Sequence, residues 1–227
     1  MHRRTLLTTA AAAALASPAR AAAKPVVLEL FTSQGCSDCP PADAFLGELA
    51  HRPGIIALAW HIDYWDNLGW HDPFASRLST ERQKAYAGRL EQVVFTPALV
   101  IDGAAMVIGS QRPNVEAAIG NAPPLPVSVS LTRTPGGLAA DIAAAGTPVR
   151  ALLVSYDPEQ ATDVHAGEND GARLREYRIV RDAAVLADWD GGPRRLTAPP
   201  VLPGRGAALL IQSAALRVLG AADLPPV

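Results

Sequence analysis

The chain has 227 residues, of which 49% are hydrophobic and 19% charged, so it has ample apolar material for a core and a length that suits two small domains better than one. Its formal net charge of -2 supplies no field that would gather a polyanion, which argues against nucleic-acid binding.

At the start, Met1-His2-Arg3-Arg4 is basic, Leu6 to Ala16 is apolar, and Ser17-Pro18-Ala19-Arg20-Ala21 is a small-residue run with an A-x-A site. This is the pattern of a signal peptide over residues 1–21, cleaved near Ala21; the Arg3-Arg4 pair also suits a twin-arginine signal. Nothing later reaches the length of an apolar span, so the expectation is a periplasmic or secreted protein with no permanent membrane span after cleavage.

From Pro25 a strand is expected over Val26 to Phe31, then a turn at Thr32-Ser33-Gln34-Gly35. A helix follows in which Ala42, Phe45, Leu46 and Leu49 recur at helical spacing and Pro53-Gly54 is the stop. Pro40 and Pro41 lack N–H groups and fit the first turn, which places the helix start near Ser37 or Asp38. The apolar run Ile55 to Ile62 reads as a buried strand parallel to the first, so Cys36 and Cys39 lie at the carboxyl end of a strand, where open α/β sheets place their sites.

An aromatic and polar segment from His61 to Phe74 comes next, then a helix from Ser79 to about Leu90. Val93 to Asp102 and Ala104 to Ile108 read as a hairpin about Asp102-Gly103, and Arg112 to Ile119 as a short helix. Residues 121–126, Asn-Ala-Pro-Pro-Leu-Pro, read as a linker. Beyond it, Val127, Val129 and Leu131 alternate with polar residues, and Leu138 to Ile142, Val149 to Tyr156, Arg173 to Arg181 and Ala207 to Gln212 are further strands, which predicts a small all-β, sandwich-like domain over 127–227.

The two cysteines, Cys36 and Cys39, carry the chemical signal. A disulfide three positions apart closes too small a loop to staple a fold, whereas that spacing lets a disulfide form and open with little backbone movement. A helix start beside the first sulfur favours its thiolate, which makes Cys36 the expected nucleophile and Cys39 the resolving thiol. Asp38, between them, opposes that effect.

The order of strand, Cys-x-x-Cys helix, strand, helix and Thr96-Pro97 before Asp102-Gly103 resembles the thioredoxin superfamily. The resemblance implies an α/β thioredoxin-like domain over 25–120, a cis bond at Pro97, and Thr96 and Pro97 as substrate-binding residues; an ordinary trans proline at a strand start is the other reading. Glu29 to Asp43, His61-Ile62-Asp63-Tyr64-Trp65-Asp66, Gly69-Trp70, Thr96-Pro97, and more loosely Gly167-Glu168-Asn169 and Tyr177 to Arg181, are similar to secreted bacterial thioredoxin-like proteins grouped as a domain of unknown function. Gly35 stands where ordinary thioredoxins carry tryptophan, and Cys-Ser-Asp-Cys replaces Cys-Gly-Pro-Cys, so substrate and redox direction do not carry over.

The expectation is an exported thiol–disulfide oxidoreductase acting without a cofactor on a protein or small-molecule disulfide or dithiol. The alternative is a binding module without turnover, taking a partner protein or a copper or zinc ion on Cys36, Cys39, His61 and His71. Asp63, Asp66 and Asp72 suit either acid–base work or turns, and Arg173, Arg175, Arg178 and Arg181 either an anion site or a solvated strand face. A G-x-S-x-G elbow, a Walker loop and a dinucleotide fingerprint are all absent from the sequence.

Overall fold

The computed structural model describes residues 25–227; the expected signal segment, residues 1–21, lies outside them. The first half runs β1 (Val26–Thr32), α1 (Pro40–Ala50), β2 (Ile55–His61), a short 3-10 turn at Asp66–Leu68, α2 (Arg77–Arg89), β3 (Ala98–Ile101), β4 (Ala105–Ile108) and α3 (Arg112–Gly120). The second half is β-rich: β5 (Val129–Thr134), β6 (Gly137–Ile142), β7 (Val149–Asp163), β8 (Arg173–Trp189), β9 (Arg194–Ala198), β10 (Gly206–Ser213) and β11 (Val218–Leu224).

β1 and β2 are parallel in the expected βαβ unit, with Val26 opposite Ile55 and Thr32 opposite His61. β3 is antiparallel to β1, and β4 to β3 about the Asp102-Gly103 turn. β1, β2 and β3 are buried on both faces and accordingly mostly apolar, with Glu29, Thr32 and His61 the polar exceptions, whereas β4 is the partly exposed edge. Leu28, Leu30, Ala57 and Ala59 meet Phe45, Leu46 and Leu49 of α1 and Val115 of α3, while Val27, Phe31, Leu58 and Trp60 face Tyr86 of α2. A buried and fully paired group, Glu29 with Arg82, Tyr86 and Gln212, ties α2 to the sheet.

The helix start differs from expectation. α1 begins at Pro40, with Cys39 as its N-cap and the two prolines in the first two helical positions, where their missing N–H groups leave no acceptor unpaired. Both cysteines therefore sit in the turn ahead of the helix.

The second half does not stand as a separate sheet. The large sheet has the order β11-β10-β7-β8-β2-β1-β3-β4, and a small antiparallel sheet has the order β5-β6-β9. Sandwich packing is present, with Leu131, Leu138, Ala140 and Ile142 of the small sheet against Val149, Ala151, Ala207, Leu209 and Ile211 of the large one. That second layer continues into the first half because β7 and β8 are far longer than their apolar segments in the sequence. β8 reaches β2, pairing Ile179 with Ala59, and Arg178 Nε donates to the Ala57 carbonyl at 2.9 Å. The proline-rich segment is packed in turn: Leu125 is buried, and Val127 N–H donates to Leu219 O at 2.8 Å. No helix among the described residues is long and apolar enough to cross a membrane.

Candidate dithiol site

Cys36 and Cys39 are joined as a disulfide, with Cα atoms 5.4 Å apart. Their turn is held by backbone bonds from Cys36 N–H to Ser33 O and from Cys39 N–H to Cys36 O. Both residues are buried, at 2% and 0% exposure, so the disulfide is covered. One contact comes from the segment after β2: a Cβ at Gly35 would stand 3.0 Å from Trp65 Cβ, so the aromatic residue occupies the space a side chain at Gly35 would need. Trp65 Nε1 donates to Thr96 Oγ1 at 2.9 Å, linking the cysteine turn to the Thr96-Pro97 loop.

The other contact is the loop between β7 and β8. Asn169 Nδ2 donates to Gln34 O at 2.8 Å and Cys36 O at 3.0 Å, and the Glu168 carboxylate accepts from Ser37 N–H at 3.1 Å and Ser37 Oγ–H at 2.8 Å. Glu168 is held below the usual glutamate range by these two Ser37 donors and so stays a carboxylate.

Around the cysteine turn lies a buried group of titratable side chains from four segments: Asp43 of α1, His61 of β2, Asp72 of the β2–α2 segment and Glu176 of β8. Asp72 Oδ2 accepts from His61 Nδ1 at 2.8 Å and from Gln34 N–H at 2.9 Å. Glu176 Oε2 accepts from Gln34 Nε2 at 2.6 Å, and its other oxygen lies 3.9 Å from His61 Nε2. Asp43 Oδ2 accepts from Thr32 Oγ1 at 3.1 Å. Three atoms of this group, Asp43 Oδ1, His61 Nε2 and Glu176 Oε1, have no hydrogen-bond partner among the described residues.

Burial pushes Asp43 up to about 7, with repulsion from Glu176 adding to it and His61 and the Thr32 hydroxyl pulling the other way. For His61 burial opposes the charge, but the Asp72 carboxylate outweighs it, aided by Glu176 and Asp43, and the imidazole is raised to about 9. Asp72 feels burial too, yet His61 and the N–H groups of Gln34 and Phe74 hold it below the ordinary range; Glu176 is raised by burial, partly offset by His61 and Gln34. The group around the turn thus carries an ion pair, His61 with Asp72, beside two carboxyls whose ionisation is disfavoured.

Thr96 and Pro97, joined by a cis peptide bond, line a cleft of about 770 Å³ together with Asp38, Phe95, Met106 and Ile108. This brings the sequence-expected substrate residues next to the cysteine turn. It does not bring the four expected metal ligands together. The cysteines are bonded to each other, His61 is buried against Asp72, and the His71 side chain is 84% exposed and pairs with Asp66 at 2.6 Å. Among the described residues no group of three or more His, Cys, Asp or Glu is arranged to hold a metal ion.

Of the three aspartates, Asp63 binds the Thr80 hydroxyl and backbone N–H of the Asp63 segment is held by the same hydroxyl, Asp66 binds His71, and Asp72 alone joins the buried group. The arginine set forms no anion site. Arg173 pairs with Asp163, Arg175 with Glu159, Arg178 with Asp223 and Arg181 with Asp157. Sequence reasoning gave no role to Asp43, Glu168, Asn169 or Glu176. A signal did exist for two: Asp43 is a charge on the apolar stripe of α1, and Glu176 takes the inward position two residues after Leu174, with Arg175 outward between them.

Comparisons place the chain among other proteins. Residues 27–212 match a family described as a protein of unknown function, DUF1223. A crystal structure of a protein from Agrobacterium tumefaciens is similar over 89% of this chain and 94% of its own, with a TM-score of 0.76 and 30% identity. HBP35 of Porphyromonas gingivalis shares the fold over 90% of this chain and 77% of its own, with a TM-score of 0.59 and 15% identity. No curated protein matches the sequence.

Proposed function

The chain belongs to the DUF1223 family, whose description carries no activity, and from its own site we propose that it is an exported thiol–disulfide oxidoreductase of thioredoxin-like architecture. The observation that carries this reading is the Cys36–Cys39 disulfide, set in the turn before α1 at the carboxyl end of β1 and surrounded by buried groups that titrate. A bond three positions apart adds little to stability. Exchange chemistry gives it a use.

In the reducing direction, the Cys36 thiolate attacks one sulfur of a substrate disulfide, forming a mixed disulfide and releasing one substrate thiolate. The Cys39 thiolate then attacks Cys36 Sγ, which restores the Cys36–Cys39 bond and releases the second substrate thiolate. Two electrons pass from the dithiol to the substrate, and the two dithiol protons end on the substrate thiols. Run backwards, the same steps oxidise a substrate dithiol. The cleft at Asp38, Thr96 and Pro97 is the place for the substrate segment. Because both cysteines are buried, substrate access requires the segments packed around their turn to yield.

Replacing the resolving thiol tests the reading. Cys39→Ser should accumulate a mixed disulfide on Cys36 with a glutathione or peptide disulfide, seen as an added mass that a reductant removes. A variant whose Cys36 forms no adduct under conditions where denatured protein does would overturn it.

A further inference from the structure

The loop between β7 and β8 comes from a part of the chain more than 130 positions away from the cysteines, yet it supplies the polar contacts that close over their turn. Two of its residues divide the work. Asn169 donates to carbonyl groups on either side of Gly35 and so fixes the shape of the turn. Glu168 does something different, because what it brings to Ser37 is a negative charge.

A free N–H beside a thiolate favours the charged sulfur and lowers the thiol's pKa. Here the Ser37 N–H, on the residue adjoining Cys36, is already taken by a carboxylate. The other charged groups around the turn are the exposed Asp38 and the buried Asp43, His61, Asp72 and Glu176; Asp72 meets the turn through Gln34 N–H. His61 is the one cation among them, and it is committed to Asp72.

Building on the exchange reading above, we propose that Glu168 is a positioning residue of the dithiol site: by occupying the Ser37 N–H with a carboxylate it holds the Cys36 thiolate less stable, and so sets the balance between dithiol and disulfide toward the disulfide. The β-rich half of the chain thereby takes part in the chemistry. Glu168 is itself solvent-exposed, so the effect is that of a screened charge at short range, about three- to tenfold in the thiol–thiolate equilibrium.

Two variants of the full protein separate charge from contact. Glu168→Gln keeps an oxygen for both Ser37 donors and loses the charge, whereas Glu168→Ala loses both. After reduction, alkylation of Cys36 is followed against pH and quantified on the peptide that carries it. Glu168→Gln should move the midpoint down by about 0.5–1 unit, and at a pH above both midpoints, where Cys36 is thiolate, the equilibrium with glutathione should shift about three- to tenfold toward the dithiol, or ~15–30 mV. A midpoint in Glu168→Gln equal to that of the parent protein overturns the proposal, and a change confined to Glu168→Ala shows the contact to be structural only. Alkylation needs no exchange partner. A protein that never equilibrates with glutathione but shows the midpoint shift would therefore contradict the exchange reading and leave the role of Glu168 standing.

Discussion

Replacing Asp43 with asparagine should make the protein's stability less sensitive to alkaline pH. Burial raises the native carboxyl from 3.8 to about 7, so the folded protein binds this proton more tightly than the unfolded chain does. Stability from that difference is fully present below about pH 4 and is lost as pH rises through about 7. Three pKa units correspond to about 4 kcal/mol, and relaxation of the neighbouring His61 and Glu176 would reduce the loss to about 2–4 kcal/mol. Asparagine keeps an acceptor for the Thr32 hydroxyl and never ionises. Urea unfolding of the disulfide-intact protein at pH 5 and pH 8 measures the effect, since the covalent state is then the same throughout. Because the unfolded carboxyl is already ionised at pH 5, about two of the three units remain to be lost, and the parent should lose about 1–3 kcal/mol more than Asp43→Asn between those two conditions. Equal losses would refute the reasoning, because they would mean that Asp43 is not held protonated by its surroundings.

In Asp72→Asn the carboxylate that outweighs burial at His61 is gone, so the imidazole should titrate well below about 9, and an NMR titration that still finds it there would contradict the assignment. Gly47→Ala tests packing: alanine is worth up to about 1 kcal/mol over glycine in an exposed helix, but here a Cβ would enter the ring of Tyr177 on β8. The expected outcome is a loss of about 1–3 kcal/mol in urea unfolding. A gain would show that α1 does not rest on β8 as described.

The first half of the fold was legible because its signals are local. The apolar runs at Val26 and Ile55, the stripe of Ala42, Phe45, Leu46 and Leu49, and the Asp102-Gly103 turn each specify one element, and both turn residues indeed adopt positive φ, 49° and 62°. The prolines at 40 and 41 located the helix start to within a turn, and the shift from Ser37 or Asp38 to Pro40 reflects Cys39, not a conventional polar residue, standing at the cap. The second half was less legible for reasons of pairing. Asp157-Pro158-Glu159 reads as the end of a strand, yet β7 continues to Asp163, with pairing on both sides of Pro158 at Asp157–Ile179 and Glu159–Tyr177. Strands of that length join halves that composition alone divides. β9, with Arg194 and Arg195, and β11, rich in alanine and glycine, have too little apolar alternation to be read as strands.

At the site, the dithiol and the Thr96-Pro97 pair were legible as motifs, whereas the buried carboxyls and the β7–β8 loop were not. Asp43 and Glu176 are 133 positions apart, and only the register of β8 against β2 brings them together around one turn. The same register carries Glu168 and Asn169 to Ser37 and Cys36.

The reduction potential of the Cys36–Cys39 pair, from equilibration of the purified protein with glutathione buffers and with metal content recorded on the same sample, tests the central claim most directly. A reversible two-electron couple between about -120 and -270 mV in metal-free protein is the predicted result. A bond that stays closed below about -300 mV would contradict it, as would stoichiometric copper or zinc that blocks oxidation of the pair, since the first marks a structural disulfide and the second a ligand pair.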